Sequence, residues 1–185
     1  MVSFPLPLYQ SVRVGGLSQD GKDFDVVAGL SENLAAELKK YSADENDTEL
    51  QKNTSDKKRF VESSYEEWYS KKRFPFGLVA KNGELAGVAW FGPRPFPPLT
   101  KGAVPSVSRE WETFAIRTYG VYRGKRLSYP FALPVMNFYQ KEISQNPLWL
   151  STPPDNSGAL RLYEKLGFAG CGIEEDGEVV MTKLS

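Results

Sequence analysis

Histidine is absent from the 185 residues and cysteine occurs once, and these two facts exclude several kinds of catalytic site. Without histidine there is no Ser-His-Asp or Cys-His triad, no histidine-ligated zinc and no histidine general base. Cys171 alone forms neither an internal disulfide nor a zinc or iron–sulfur site. We therefore expect no metal, and we expect any chemistry to depend on carboxylates, tyrosines, lysines, backbone dipoles or a cofactor.

A charge excess and long apolar runs are absent as well. Lys and Arg total 23, as do Asp and Glu, so the charge balance does not favour nucleic acid or a membrane surface as a partner. No apolar run approaches a membrane span, and the N-terminal residues lack the basic region and cleavage site of a signal peptide. We expect one cytoplasmic domain over residues 1–185, long enough to bury a sizeable core.

The spacing of apolar residues predicts a mixture of strands and helices. The strands are expected at 11–15, 78–91 (a hairpin with a type I′ turn at Asn82-Gly83), 111–119, 148–152, 168–173 and 178–184. The helices are expected at 55–73, 127–142 and 156–166, with a kink or early break at Pro134 in the second. Residues 23–41 form either one helix or a turn followed by a helix capped by Ser31.

Two segments between these elements are predicted to be loops. Residues 42–50 are acidic and polar, which favours a solvated loop. Residues 92–108 contain five prolines and predict a long irregular loop, either a rigid surface excursion or a lid over a substrate.

Two further segments carry the functional signal. Residues 116–128 (IRTYGVYRGKRLS) have the pattern of a strand that runs into a Gly- and Arg-bearing loop and then opens a helix. Backbone N–H groups at a helix start lack intrahelical partners and carry partial positive charge, so such a loop can hold a phosphate. Residues 156–168 (NSGALRLYEKLGF) predict a short helix with Tyr163 near its end and Gly167 as its stop.

In this order, the two segments resemble the coenzyme-binding loop and last helix of the GNAT superfamily of N-acetyltransferases. The loop residues 122–128 match the family form Gln/Arg-x-x-Gly-x-Gly/Ala except that Arg126 and Ser128 replace small residues. The helix matches throughout, at Asn156, Ala159, Tyr163, Lys165, Gly167 and Phe168. The resemblance implies a mixed α/β (α+β) fold, with a mostly antiparallel central sheet of six to seven strands and about four flanking helices.

The resemblance also implies a function and its partners. It implies an enzyme that moves an acetyl group from acetyl-CoA, its cosubstrate, to a primary amine of a small molecule or peptide by direct attack. The alternative is a non-catalytic acyl-CoA-binding sensor or scaffold on the same fold. The expected partner is the amine acceptor, and a homodimer is a possible assembly.

The residues expected to contact the coenzyme follow from the same match. They are Ile116, Thr118, Arg123, Gly124, Lys125, Arg126, Leu127, Ser128, Asn156 and Ala159. Asn156 is expected either to contact the pantetheine arm or to cap its helix. Small residues at the family's glycine positions let the backbone approach the pyrophosphate. We expect Arg126 to be tolerated there, because a residue at a helix start need not have a positive φ.

Two residues are candidates for the chemical step. By resemblance, Tyr163 protonates the departing thiolate, and the alternative is a core tyrosine packed on Phe168. Glu112 precedes Arg123 by eleven residues, an offset at which histone-type members carry a glutamate, which implies a general base. Strand alternation places it on the face of Phe114 and Ile116. The alternatives are a surface carboxylate paired with Arg109 or Arg117, and Glu110 as the base instead.

Overall fold

One nine-stranded sheet organises the chain in a computed structural model that describes residues 4–184. The strands are β1 Val12–Gln19, β2 Lys22–Ala28, β3 Phe74–Ala80, β4 Leu85–Pro93, β5 Leu99–Gly102, β6 Glu112–Thr118, β7 Leu148–Thr152, β8 Ala169–Glu174 and β9 Val179–Lys183. Their order is β1-β2-β3-β4-β6-β7-β9-β8-β5, and all neighbours are antiparallel except β6 and β7. The predicted mixed fold with a mostly antiparallel sheet is therefore confirmed, with more strands than the six to seven expected.

Five α-helices flank the sheet. They are α1 Glu32–Ala43, α2 Thr48–Asn53, α3 Tyr65–Ser70, α4 Ser128–Glu142 and α5 Ser157–Lys165. A π-helical turn, Lys58–Glu62, precedes α3, and a 3-10 turn, Gly120–Tyr122, follows β6. Across the described residues, no helix combines the length and apolar character needed to cross a membrane.

The first half of the chain differs most from the prediction. Residues 22–28 form a strand instead of the start of a helix, because Phe24, Val26 and Ala28 alternate into the core while β1 and β3 pair on either side. The alternative of a turn and a capped helix is confirmed, since Ser31 Oγ accepts a hydrogen bond from the Leu34 N–H at 3.4 Å.

Side-chain caps also divide two other predicted segments. Asp47 starts α2 within the predicted 42–50 loop by accepting a hydrogen bond from the N–H of the buried Leu50 at 3.0 Å. The single helix predicted over 55–73 is wrong, because Ser64 accepts from the Glu67 N–H at 3.0 Å and starts a separate helix, α3. Competition between polar side chains and backbone acceptors is the usual reason for such breaks.

Three smaller predictions are also corrected. The 78–91 hairpin is confirmed, but its turn is not type I′, because Gly83 has a positive φ of 88° whereas Asn82 does not. The 92–108 segment contains β5, which pairs with β8. Of the two outcomes expected at Pro134, the early break is wrong, because α4 continues to Glu142, and the kink stays a prediction.

The sheet separates two apolar cores. Helices α4 and α5 cover one face, where Phe91, Phe114 and Tyr139 belong to the larger core. Helices α1 and α3 cover the other face, where Phe60 and Trp90 are buried. Alternate residues of β6 therefore point to different cores, and this decides which side chains can meet near the candidate site.

Within residues 4–184, β6 and β7 are the only parallel strand pair, and this pair determines where the sheet opens. β6 and β7 pair at just two positions, Glu112 with Leu148 and Thr113 with Trp149. Beyond these pairs the two strands diverge, and we call the space between residues 114–118 and 150–152 the β6–β7 wedge. Each strand then leads into a helix start, β6 into α4 and β7 into α5.

Candidate active site

A cavity of about 710 Å³ opens from the β6–β7 wedge and extends to the starts of α4 and α5. Ten of the twelve residues predicted for the site line it: Ile116, Thr118, Arg123, Gly124, Arg126, Leu127, Ser128, Asn156, Ala159 and Tyr163. Lys125 is exposed and does not line the cavity, and Glu112 does not line it either. The two segments that carry the sequence signal thus meet at one place in the fold.

Free backbone donors gather at the α4 end of this cavity. Within the described chain, the N–H groups of residues 124–128 have no backbone carbonyl as acceptor, and the first bond of α4 runs from the Phe131 N–H to the Leu127 carbonyl at 3.0 Å. No side chain caps the helix. These donors and the positive end of the helix dipole favour an anion such as a phosphate.

The conformation of Arg126 differs from the expectation. Its φ is +57°, in the left-handed region, so the expectation that this position needs no positive φ is wrong. Gly124 has a φ of +74° in the same turn. A left-handed conformation costs a side-chain-bearing residue about 1–2 kcal/mol, which explains on physical grounds why glycine suits this position.

The guanidinium of Arg123 is already engaged by a carboxylate. Its two terminal nitrogens each donate to an Asp47 carboxylate oxygen at 2.6 Å, and Nη2 also donates to the Thr118 carbonyl at 3.4 Å. The hydrogen-bonded guanidinium lowers the pKa of Asp47, and the carboxylate raises the pKa of Arg123. A phosphate ligand at this position would therefore compete with Asp47 for the Arg123 side chain.

Helix α5 has the predicted start and stop. Asn156 Oδ1 accepts a hydrogen bond from the Ala159 N–H at 3.2 Å, so Asn156 caps the helix while it also lines the cavity. Gly167 has a φ of +88°, and the Phe168 N–H donates to the Tyr163 carbonyl at 3.0 Å. The chain folds back as predicted, with the rings of Tyr163 and Phe168 6.0 Å apart.

Tyr163 belongs to the core and to the cavity lining at once. The residue is 5% exposed, its ring packs against Phe114 and Phe168, and it lines the cavity. Burial raises the pKa of Tyr163, the nearby Arg117 guanidinium opposes this rise, and Glu178 adds to it. Because the pKa lies above its ordinary value of 10.0, the hydroxyl is protonated at neutral pH and can donate a proton.

Sequence reasoning missed Arg117 as a part of this site. Arg117 lines the cavity, and its Nε donates to Asp56 Oδ2 at 3.3 Å while its Nη1 donates to the Ile116 carbonyl at 2.8 Å. Asp56 is fully buried. Burial disfavours the charge of Arg117, but Asp56 and two tyrosines outweigh it, and the pKa of Arg117 is raised. The available signal was a charged residue directly after the apolar run Phe114–Ile116, near the end of the strand.

Glu112 lies at the closed end of the wedge, where β6 and β7 are still paired. It is 7% exposed, and its carboxylate accepts hydrogen bonds from Tyr139 at 2.9 Å, Ser144 at 3.1 Å and Asn146 at 3.3 Å. These contacts hold the carboxylate away from the cavity lining, so they do not support the expected role of general base, and they differ from the alternative of a surface pair with Arg109 or Arg117. They attach the end of α4 to β6. Glu110 is exposed just before the strand.

A carboxylate from the C-terminal hairpin is hydrogen-bonded to the wall of the cavity without lining the cavity itself. Glu178 precedes β9, and its Oε2 accepts a hydrogen bond from Ser151 Oγ at 2.5 Å. Ser151 lines the cavity, and the charge of Glu178 raises the pKa of Tyr163. No sequence motif singled out Glu178, because only the pairing of β7 with β9 brings it beside Ser151.

Comparisons with known proteins identify a family for this chain. Residues 41–168 match the family model described as "Acetyltransferase (GNAT) family". A search of curated proteins finds no match.

Solved structures with low sequence identity share the fold. RimJ of Mycobacterium smegmatis, in complex with CoA-disulfide, has a TM-score of 0.64 at 13% identity, covering 95% of this chain and 87% of that one. The GNAT domain of S. lividans PAT has a TM-score of 0.60 at 12% identity, covering 94% and 96%. Ribosomal-protein-S5-alanine acetyltransferase from Vibrio fischeri has a TM-score of 0.59 at 12% identity, covering 91% and 96%.

Proposed function

Because this chain belongs to the GNAT acetyltransferase family, whose model matches residues 41–168, we propose that it moves an acetyl group from acetyl-CoA to a primary amine of a small molecule or peptide. One observation carries the proposal: the wedge brings a protonated Tyr163 and the free N–H groups of residues 124–128 into one cavity. Acetyl-CoA would supply the thioester that an amine can attack directly.

Different residues of the cavity bind different parts of acetyl-CoA. The N–H groups of residues 124–128 and the start of α4 bind the pyrophosphate, and Arg126 adds a positive charge from the same turn. Asn156 and the wedge-facing groups of β6 hold the pantetheine arm. This arrangement directs the thioester toward Tyr163, which lies farther along α5.

Proton transfer completes the exchange of bonds. The amine nitrogen forms a bond to the acyl carbon, the carbon–sulfur bond breaks, and the sulfur leaves with its electron pair. Tyr163 donates its phenolic proton to that sulfur. The amine loses one proton in return, and we assign its acceptance to Glu178, directly or through Ser151 or one water. Glu112 is not assigned this role, because its three hydrogen-bond donors, Tyr139, Ser144 and Asn146, do not line the cavity, whereas Ser151, the donor to Glu178, does.

Coenzyme binding can be tested without any acceptor. Coenzyme A at about 100 times its dissociation constant should stabilise the fold by about 2.7 kcal/mol, which a thermal melt detects. Lys141→Gln, on the exposed side of α4, is the matched control and should show the same shift. No shift at millimolar coenzyme would refute the proposal.

The choice of base is tested by two substitutions of equal size. Glu178→Gln should lower turnover at neutral pH and recover partly at higher pH, where more of the amine is already neutral. Glu112→Gln should leave the pH profile of turnover unchanged, because its carboxylate lies at the closed end of the wedge. The reverse result would return the role to Glu112.

The non-catalytic alternative draws on one observation. Asp47 holds the Arg123 side chain and Arg126 adopts a left-handed conformation, so the loop departs from the family pattern. A sensor would bind coenzyme A but release no thiol from acetyl-CoA with any amine of a broad panel. Thiol release that depends on an amine would exclude the sensor.

A further inference from the structure

A second cavity, of about 260 Å³, lies on the α1–α3 face of the sheet and is strongly positive. Five cationic residues line it: Lys58, Arg59, Lys71, Arg73 and Arg94. Trp68 and Trp90 form its apolar wall, and no carboxylate lines it within residues 4–184. We call it the cationic cavity. The acyl-transfer mechanism above does not use it.

The positive charge of the cationic cavity is only partly neutralised. Asp56 accepts from Arg59 at 2.6 Å, and Glu67 accepts from Lys71 at 2.9 Å. In the described part of the chain, Lys58, Arg73 and Arg94 have no carboxylate within 4.0 Å. Burial lowers the pKa of Arg73, and the charges of Arg94 and Arg59 lower it further. Arginine stays protonated nonetheless, so the repulsion persists.

Fixed donors accompany this charge. Arg73 Nη1 donates to the Pro93 carbonyl at 3.1 Å, while its Nε is buried without a hydrogen-bond partner. The guanidinium of Arg59 lies 5.4 Å from the Trp90 ring centre, and that of Arg94 lies 4.9 Å from the Trp149 ring centre. Stacking fixes the plane of a guanidinium and leaves N–H groups at its edge for an anion. The buried Nε of Arg73 also lacks an acceptor, and an anion in the cavity could supply one.

One carboxylate separates this cavity from the active-site cavity. Asp56 accepts from Arg59, which lines the cationic cavity, and from Arg117, which lines the active-site cavity. Arg117 also lies 5.2 Å from the ring centre of Trp90, a wall residue of the cationic cavity. The linings of the two cavities are also adjacent in the chain, since Thr54 lines the active-site cavity and Ser55 lines the cationic cavity, so a small molecule that passes residues 54–55 could place one end in each.

We propose that the cationic cavity binds an anionic group, a carboxylate or a phosphate, of the amine acceptor. This inference rests on the proposed function, and it narrows the acceptor to a small amine that carries negative charge. The anion takes the donors of Arg59, Arg73 and Arg94, and the amine extends past residues 54–55 and Arg117 toward Tyr163.

Matched acceptors test the inference by steady-state kinetics. β-Alanine is compared with β-alaninamide, and O-phosphoethanolamine with ethanolamine, so that only one member of each pair carries an anionic group and the two pairs distinguish carboxylate from phosphate. We expect kcat/KM to be at least tenfold higher for the charged member of one pair or both. Equal values within both pairs, in an enzyme that turns over amines, would overturn the inference and leave the proposed function standing.

Substitutions test whether the preference for charged acceptors depends on the cationic cavity. Arg73→Gln and Arg94→Gln should each remove most of the preference for the charged acceptor while the kcat/KM for the neutral member changes less than threefold. Arg73→Lys keeps the charge and should retain part of the preference, and Lys141→Gln, outside both cavities, should retain all of it. A preference unchanged in both Arg73→Gln and Arg94→Gln would overturn the inference.

A binding measurement separates this failure from failure of the proposed function. Inorganic phosphate is titrated by calorimetry into wild type and Arg73→Gln, each saturated with coenzyme A so that the phosphate site at α4 is occupied. If coenzyme A does not bind, the proposed function fails, and the same titration without coenzyme still tests the cavity. Phosphate binding that Arg73→Gln weakens at least tenfold supports the inference, and equal binding by the two folded proteins refutes it.

Discussion

Replacing Tyr163 with phenylalanine tests the proposed chemistry most directly, because it removes one oxygen atom from the cavity and keeps the ring. The contacts of the ring with Phe114, 6.4 Å between centres, and with Phe168, 6.0 Å, should survive. Only the hydroxyl next to Arg117 is lost. We therefore expect the free energy of unfolding to fall by about 1 kcal/mol and the coenzyme dissociation constant to stay within twofold.

The expected effect on turnover is much larger. General acid catalysis by a positioned side chain contributes about 10²–10⁴-fold, so kcat and kcat/KM should fall together by at least about 100-fold. The pH profile adds a second criterion. Since burial raises the pKa of Tyr163 above 10.0, the wild type should not lose activity through this residue between pH 7 and pH 9.

The assay follows thiol release from acetyl-CoA in a single turnover, where product release does not hide the chemical step. Tyr139→Phe is the matched control: it removes another buried hydroxyl, bonded to Glu112 at 2.9 Å, outside the cavity. It should lower stability by about 1–3 kcal/mol and change the rate only a few-fold. Equal single-turnover rates for wild type and Tyr163→Phe would remove Tyr163 from the mechanism.

Three further predictions concern the coenzyme loop and the α5 stop. Arg126→Gly relieves the cost of a left-handed φ of +57° but raises the conformational entropy of the unfolded chain, so the free energy of unfolding should change by no more than about 1 kcal/mol in a denaturant titration. Because the substitution removes a positive charge, the affinity for the coenzyme should depend less on salt. Asp47→Asn keeps the cap of α2 and removes the charge that holds Arg123, so calorimetry should show severalfold tighter coenzyme binding. Unchanged affinity would mean that Arg123 does not reach the coenzyme. Gly167→Ala forces a Cβ into a φ of +88° and to 2.8 Å from Lys183 Nζ, and a thermal melt should show a loss of about 1–2 kcal/mol.

The sequence predicts the second half of the chain better than the first, for a local reason. Strands β6 and β7 and helices α4 and α5 each carry their own signals, such as the Asn156 cap and the Gly167 stop, within a few residues. The strand at 22–28 has apolar residues that satisfy both a helical and an alternating period. Its pairing with β1 and β3 decides between them, and that pairing is not local.

The same distinction applies to the candidate site. Ten predicted residues line the cavity because the two segments that carry them end at the same edge of the wedge. Glu112 was predicted from an offset and a strand face, but neither indicates that Tyr139 of α4 and Ser144 and Asn146 after α4 converge on it. Arg117 needs Asp56, 61 residues away in the chain, to explain its burial. Contacts of this range have no short-range signal.

The short pairing of β6 with β7 has a consequence for how the protein opens. The sheet consists of a five-strand half, β1-β2-β3-β4-β6, and a four-strand half, β7-β9-β8-β5, and only two residue pairs hydrogen-bond them edge to edge. Units joined by few backbone bonds tend to exchange their amide hydrogens as separate cooperative blocks. We expect the halves to differ in protection in the free protein and to become more alike when a ligand fills the seam and contacts both.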